Sequence, residues 1–237
     1  MPAKIRAVLF DKDGTLIDFR ATWLPAYEAI VRDVFGDDDG LVDRLLEAGG
    51  YDRRAGSIDP ASELVAGTNL GIASLWAELV GRLDVDRVAE QLNHGFMRHA
   101  QSSLVPVTNL PALFGRLRHR GLKIGVATND SEMALQDQVD RLAIREYLDF
   151  CCGYDSGHGG KPEPGMVQAF GSAVGVPVNA IAVVGDSLHD LEMARSAGAG
   201  LAIGVLTGAS PRELLALHCD HVLDNIDEIE TILSAPN

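Results

Sequence analysis

The segment AVLFDKDGTL, residues 7–16, joins a short apolar run to two aspartates and a Gly-Thr pair. The apolar run lacks polar alternation, which predicts a strand covered on both faces. Asp11 and Asp13 follow at the carboxyl end of that strand, and Gly14 lets the chain turn sharply. Two carboxylates held this close repel each other unless a cation or a shared proton compensates. The segment therefore predicts a ligand site at a strand end.

Further apolar runs predict the rest of a sheet. They are LKIGVAT at 122–128, AIAVVG at 180–185 and GLAIGVL at 200–206, with weaker candidates near residues 150 and 221. Amphipathic segments separate these runs, and the alternation predicts an α/β fold with a doubly wound parallel sheet. Sheets of this kind bind ligands at the carboxyl ends of their strands.

One long segment interrupts this alternation. Between Asp18 and Ser103 we find no convincing strand pattern, whereas several stretches have helical periodicity. An insertion of roughly 85 residues is large enough to be a domain. We therefore predict an all-helical domain at residues 18–104, inserted into a core made of residues 1–17 and 105–237.

Polar groups also follow the other predicted strands. Asp186 comes directly after AIAVVG, so in a parallel sheet it would meet Asp11 at one edge, where such oxygen ligands suit Mg²⁺. Thr128 and Asn129 precede a helix whose first backbone amides face outward. Lys161 lies between two glycines and a Pro-Glu-Pro run, which restricts its position. Together these groups suit a phosphoryl group, which a neighbouring carboxylate can attack.

Four segments, DKDGTL, VATND, GGKPEP and VVGDSLHDLEMARSAG, occur in this order, each at a predicted strand end. They resemble the four ordered motifs of the haloacid dehalogenase superfamily, specifically its phosphatases of the phosphoglycolate phosphatase type. The helical insert matches the cap of that group in position and size. The resemblance implies a Mg²⁺-dependent hydrolase that cleaves a small phosphate monoester through an aspartyl-phosphate intermediate.

The resemblance also implies a role for each matching residue. Asp11 would be the nucleophile and Asp13 the general acid and base. The phosphoryl group would be held by Thr128, Asn129 and Lys161. The helical insert would close over the site, exclude bulk water and select the leaving group.

The metal site implied by the resemblance consists of Asp186, Asp11 and the main-chain carbonyl of Asp13. Asp190 would support the metal or Lys161. Its position three residues after Ser187 is equally a capping-box spacing, so helix capping and support of the site both stay open.

Two arginines stand out in the insert. Arg53 and Arg54 lie in the Gly-rich stretch GGYDRRAGS, residues 49–57, between predicted helices. One interpretation is a solvated turn. The other is that Arg53 or Arg54 binds an anionic leaving group such as a carboxylate.

Lys12 separates the two aspartates in the sequence. Because side chains alternate along a strand, we expect its side chain to point away from theirs. It would then be packed or solvated.

Composition limits the partners. The formal net charge of −14 argues against a nucleic-acid partner, because phosphate backbones attract lysine and arginine surfaces. No apolar run approaches the roughly 18 residues that span a bilayer, and Asp11 comes too early for a signal-peptide core. We therefore expect a cytoplasmic protein without a membrane partner, acting on a small phosphorylated metabolite. The sequence does not indicate its oligomeric state.

Two alternative functions stay open. A sugar phosphomutase uses the same two aspartates and the same type of cap, and the sequence separates it poorly from a phosphatase. A non-catalytic, phospho-accepting signalling module also gathers aspartates, a threonine and a lysine on a parallel sheet. Such a module is much shorter and has no insert after its first strand.

Overall fold

The computed structural model describes residues 4–66, 69–81, 84–99 and 104–234. The chain divides into two compact units, one formed by Met1–Phe19 with Val105–Asn237 and the other by Arg20–Leu104. Within the connection that returns from the predicted insert, residues 101–103 lie outside the described residues.

Strands and helices are numbered separately in chain order. The strands are β1 Ala7–Phe10, β2 Tyr51–Asp52, β3 Ser57–Ile58, β4 Lys123–Ala127, β5 Phe150–Cys152, β6 Ile181–Gly185, β7 Leu201–Val205 and β8 His221–Leu223. The helices are α1 Phe19–Phe35, α2 Asp39–Ala48, α3 Glu63–Ala66, α4 Asn69–Leu79, α5 Val85–His99, α6 Leu110–His119, α7 Glu132–Arg141, α8 Gly165–Val174, α9 Leu188–Ala197, α10 Arg212–Leu215 and α11 Ile229–Ser234.

The larger unit contains a six-stranded sheet in the order β5-β4-β1-β6-β7-β8. Every neighbouring pair in it is parallel, so the predicted α/β fold class is confirmed. Phe10 of β1 pairs with Val126 of β4 and Val184 of β6. In this register the polar residues that follow these three strands come to one edge of the sheet.

Helices cover both faces of the central strand β1. Leu9 belongs to a buried cluster with Phe170 of α8 and Leu191 of α9. Phe10 stacks instead on Phe114 of α6, with ring centroids 5.2 Å apart. Successive side chains of a strand point to opposite faces, so both positions must be apolar. This is why the strand shows no polar alternation.

The smaller unit is built around Trp76 of α4, which is fully buried. Its indole N–H donates to the carbonyl of Leu45 at 2.8 Å, and Tyr27 and Phe35 pack edge-on against its ring. Among its described residues, the regular structure of the unit is helical apart from the antiparallel hairpin of β2 and β3, which the expectation of an all-helical insert does not include. Each of these strands has two residues, which is too short to produce a periodic sequence pattern.

None of the helices in the described ranges has the length and hydrophobicity that a membrane span requires.

Candidate active site

Three buried aspartates meet at the carboxyl edge of the sheet. Asp11 follows β1, Asp186 follows β6, and Asp190 lies in the first turn of α9. Each offers a carboxylate oxygen, and these three oxygens lie within 4.8 Å of one another. Asp11 and Asp186 therefore lie together at one edge of the sheet, as the sequence predicts.

Lys161 supplies a buried positive charge to this cluster. Its ammonium group pairs with Oδ1 of Asp11 and lies 2.7 Å from Oδ1 of Asp190. Burial by itself lowers the pKa of Lys161, but Asp11 and Asp190 raise it above its ordinary value. Lys161 is therefore a permanent cation at neutral pH.

One ammonium group does not balance the three carboxylates. Burial raises the pKa of Asp11 to about 7, against the opposing influence of Lys161. Burial also raises the pKa of Asp186 well above its usual range, and the charges of Asp11 and Asp190 add to that effect. The cluster thus has a deficit of positive charge, which a proton or a metal ion can fill.

The aspartate cluster has a carboxylate oxygen that can bind a divalent cation. Oδ2 of Asp11 is buried and has no hydrogen-bond partner among the described residues. The main chain at Gly14 and Gly208 packs directly against Asp186. A Cβ atom added to Gly14 would lie 2.5 Å from the Asp186 side chain, and one added to Gly208 would lie 1.8 Å from it. A tight pocket with hard carboxylate oxygens suits Mg²⁺, with Asp11 and Asp186 as its candidate ligands. A ligand role for the Asp13 carbonyl stays a prediction.

Asp190 makes contacts of both kinds that the sequence left open, a helix cap and a pair with Lys161. Its Oδ2 accepts hydrogen bonds from the backbone N–H and the hydroxyl of Ser187, at 3.1 and 2.6 Å, as part of a capping box. Its Oδ1 pairs with Lys161. Asp190 therefore anchors Lys161 to the start of α9.

Thr128 and Asn129 follow β4 at the same edge. The buried hydroxyl of Thr128 accepts a hydrogen bond from the N–H of Asp130 at 3.1 Å, a contact that does not use its own hydrogen. Asn129 makes two bonds to the main chain of Lys161. Its Oδ1 accepts from the N–H at 2.8 Å, and its Nδ2 donates to the carbonyl at 3.2 Å. The side chain of Asn129 thus positions Lys161, whereas its predicted contact with a phosphoryl group stays a prediction.

Lys12 is fully buried and contacts Asp13. Its side chain is therefore packed, as one of the two expectations has it, but the expectation that it points away from both aspartates is wrong. Its ammonium nitrogen lies 2.5 Å from Oδ2 of Asp13. Strand β1 ends at Phe10, and the chain then enters a turn in which Asp13 forms an isolated bridge with Ile17. Strand alternation therefore no longer governs where Lys12 and Asp13 point.

A family model for haloacid dehalogenase-like hydrolases matches residues 5–198 of the 237. The chain belongs to this family. The resemblance inferred from the four motifs is thereby confirmed, and the chain is a hydrolase by family.

Two kinds of curated relatives are similar to the hydrolase. It is 27% identical over 238 residues to a phosphoglycolate phosphatase of Rhodospirillum rubrum, covering 98% of this chain and 92% of the relative. It is 26% identical over 234 residues to a phosphonoacetaldehyde hydrolase of Bacillus cereus, covering 96% of this chain and 84% of the relative.

Solved structures share the fold of the hydrolase over nearly its whole length. A Lactobacillus delbrueckii protein assigned as a phosphoglycolate phosphatase is 24% identical, with a TM-score of 0.74 and coverage of 98% and 99%. A Thermotoga maritima protein assigned as a β-phosphoglucomutase is 20% identical, with a TM-score of 0.73 and coverage of 97% and 98%. At these identities the likeness shows the fold alone.

The two arginines of the hydrolase differ in their surroundings. The Arg53 guanidinium pairs with Glu28 and Asp43 inside the smaller unit. Arg54 has an exposed side chain, for which the described residues show no ion pair, while its backbone N–H donates to Asp52 at 2.9 Å. Of the two, Arg54 is therefore the better candidate for binding an anion.

The loop after β7 also contributes to the site of the hydrolase. The four sequence motifs do not include it. The hydroxyl of Thr207 donates to the carbonyl of Gly14 at 2.6 Å, and the N–H of Ala209 donates to Asp186 at 3.3 Å. The available signal was the run of small residues TGAS, 207–210, directly after an apolar strand.

Proposed function

We propose that this hydrolase cleaves small phosphate monoesters with Mg²⁺ through an aspartyl-phosphate intermediate. The observation that carries the proposal is the state of Asp11: Lys161 pairs with one carboxylate oxygen, and the other is buried with no hydrogen-bond partner in the part of the chain that the structure describes. A carboxylate held in this way is suited to attack phosphorus. The phosphoglycolate phosphatase relatives support the substrate class.

In the first step, a carboxylate oxygen of Asp11 would form a bond to phosphorus while the bond from phosphorus to the ester oxygen breaks. Asp13 would give its proton to that departing oxygen. Lys161 and the hydroxyl of Thr128 would hold the phosphoryl oxygens and offset their charge.

In the second step, water would attack phosphorus and break its bond to Asp11. Asp13, now a carboxylate, would take the proton from that water, and phosphate would leave with both aspartates restored. Mg²⁺, held by Asp11, Asp186 and the Asp13 main-chain carbonyl, would supply positive charge against the phosphoryl group. The helical segment 18–104 would serve as the cap that excludes bulk water and selects the leaving group.

The distribution of lysines favours a phosphate ester over a phosphonoaldehyde. Cleaving a carbon–phosphorus bond next to an aldehyde leaves charge on carbon, which an imine formed by a lysine can accept. The lysines of the chain are Lys4, Lys12, Lys123 and Lys161. The last three pair with carboxylates, and Lys4 precedes β1 at the opposite end of that strand from Asp11. No unpaired lysine therefore accompanies the aspartate cluster.

The test is an assay of phosphate release from a panel of monoesters that includes phosphoglycolate, a hexose 1-phosphate and p-nitrophenyl phosphate. We expect many phosphates per protein with Mg²⁺, few after its removal, and none with Asp11→Asn. An isomerised sugar phosphate as main product would indicate a mutase. Release of at most one phosphate per protein would indicate a phospho-accepting module and contradict the proposal.

A further inference from the structure

The ammonium group of Lys12 is surrounded by three oxygen acceptors. Its nitrogen lies 2.5 Å from Oδ2 of Asp13, 2.5 Å from Oε1 of Gln138 and 3.3 Å from Oδ2 of Asp130. An ammonium group has three N–H donors, so Lys12 can donate to each of these oxygens. The side chain of Lys12 is 1% exposed, whereas that of Asp13 is 25% exposed.

Gln138 anchors this arrangement from a distant part of the sequence. It is buried on α7 and follows Lys12 by 126 residues. A buried amide is costly unless its polar atoms are hydrogen-bonded. The bond from Lys12 meets that requirement for Oε1, so α7 and the turn after β1 hold each other in place.

We propose that Lys12 is a positioning residue for Asp13, held in place by Gln138 and Asp130. The inference rests on the proposed function, in which Asp13 exchanges a proton with the leaving group and with water. Asp13 lies in a turn and its side chain is 25% exposed, whereas the Lys12 ammonium group that contacts it is buried. A charge-assisted bond to Oδ2 favours one orientation of the Asp13 carboxylate, which is the group that transfers the proton.

The test compares two aryl phosphates of similar shape. p-Nitrophenolate is a weak base that departs with little protonation, whereas phenolate needs a proton from the acid. Because kcat/KM includes the steps up to loss of the leaving group, Lys12→Met should lower it more for phenyl phosphate than for p-nitrophenyl phosphate. We expect a further loss of about 10-fold, below the 10²- to 10⁴-fold that a general acid typically contributes.

Gln138→Leu should change this ratio in the same direction but by less, since Lys12 keeps its pair with Asp13. The matched control is Leu135→Ala, which truncates a buried side chain on the same helix. It should lower thermal stability and leave the ratio unchanged. If Lys12→Met does not fold, Lys12→Met/Gln138→Leu removes both buried polar groups together, and Gln138→Leu alone provides the same readout.

The outcomes separate this inference from the proposed function. If Lys12→Met and Gln138→Leu lower kcat/KM equally for both substrates, Lys12 has only a structural role and the inference is overturned. If the wild-type protein releases no phosphate from either substrate, or Asp11→Asn releases it at the wild-type rate, the proposed function itself fails.

Discussion

Asn129 and Lys161 are joined by two hydrogen bonds that run in opposite directions between one side chain and one main chain. The Asn129 amide accepts from the Lys161 N–H at 2.8 Å and donates to the Lys161 carbonyl at 3.2 Å. The ammonium group of the same lysine pairs with Asp11 and Asp190. The end of β4 therefore sets the position of the cation at the aspartate cluster.

Asn129→Ala should lower activity through Lys161. Loss of the two bonds should cost about 1 kcal/mol of stability each and let the backbone of Lys161 move. We expect kcat/KM for p-nitrophenyl phosphate to fall about 10-fold with a small decrease in Tm. Asn129→Asp keeps the acceptor for the Lys161 N–H, but it turns a carboxylate oxygen toward the Lys161 carbonyl and adds negative charge near the cluster, so it should not retain more activity than Asn129→Ala. Wild-type kinetics in Asn129→Ala would show that the two bonds do not matter for catalysis.

The aspartate cluster should make the metal-free protein less stable as pH rises. Burial raises the pKa of Asp11 from 3.8 to about 7 and raises that of Asp186 well above its usual range. Between about pH 4 and about pH 7, the folded protein keeps a proton on Asp11 that the unfolded chain has already lost. The contribution of Asp11 to the free energy of unfolding therefore falls as pH rises from about 4 to about 7, and the raised pKa of Asp186 acts in the same direction.

Mg²⁺ should reverse this loss, because it binds the ionised carboxylates in competition with protons. The increase in Tm on adding Mg²⁺ should be larger at about pH 8 than at about pH 5. Asp186→Asn removes one carboxylate and should weaken both the pH dependence and the response to Mg²⁺. An equal increase in Tm at both pH values, or none at either, would count against the metal site.

The neighbouring arginines form a matched pair for testing specificity. Arg53 is neutralised by Glu28 and Asp43, so Arg53→Ala should lower Tm slightly and change KM little. Arg54→Ala should raise KM for an acidic substrate such as phosphoglycolate while leaving KM for p-nitrophenyl phosphate unchanged. If Arg54→Ala changes KM for both substrates by the same factor, Arg54 does not bind the leaving group.

The sequence predicts the parts of the site that strand ends determine. Continuous apolar runs identify β1 and β6 as buried strands, and parallel pairing of their ends then brings Asp11 and Asp186 together. The same patterns predict the α/β sheet. These predictions succeed because each needs only the apolar pattern of a strand, the residue that follows it and the parallel pairing of neighbouring strands.

The supporting contacts lie beyond such patterns. Gln138 is an ordinary polar residue in a helical sequence, and its contact with Lys12 depends on how α7 packs against a turn 126 residues away. Gly208 is a second example. The position has no room for a side chain because Asp186 packs against it, and the local sequence does not show this contact. Residue type and local spacing contain no signal for contacts of this kind.

The most direct test of the account is the phosphorylation state of two variants during reaction with p-nitrophenyl phosphate. Asp13→Asn keeps the nucleophile but lacks the base that activates water, so the second step should slow more than the first. Asp11→Asn lacks the nucleophile and should form no intermediate. Rapid quench followed by mass spectrometry should therefore detect one added phosphoryl group on Asp11 in Asp13→Asn and none in Asp11→Asn. Absence of the phosphoenzyme in Asp13→Asn, together with substantial turnover in Asp11→Asn, would contradict the account.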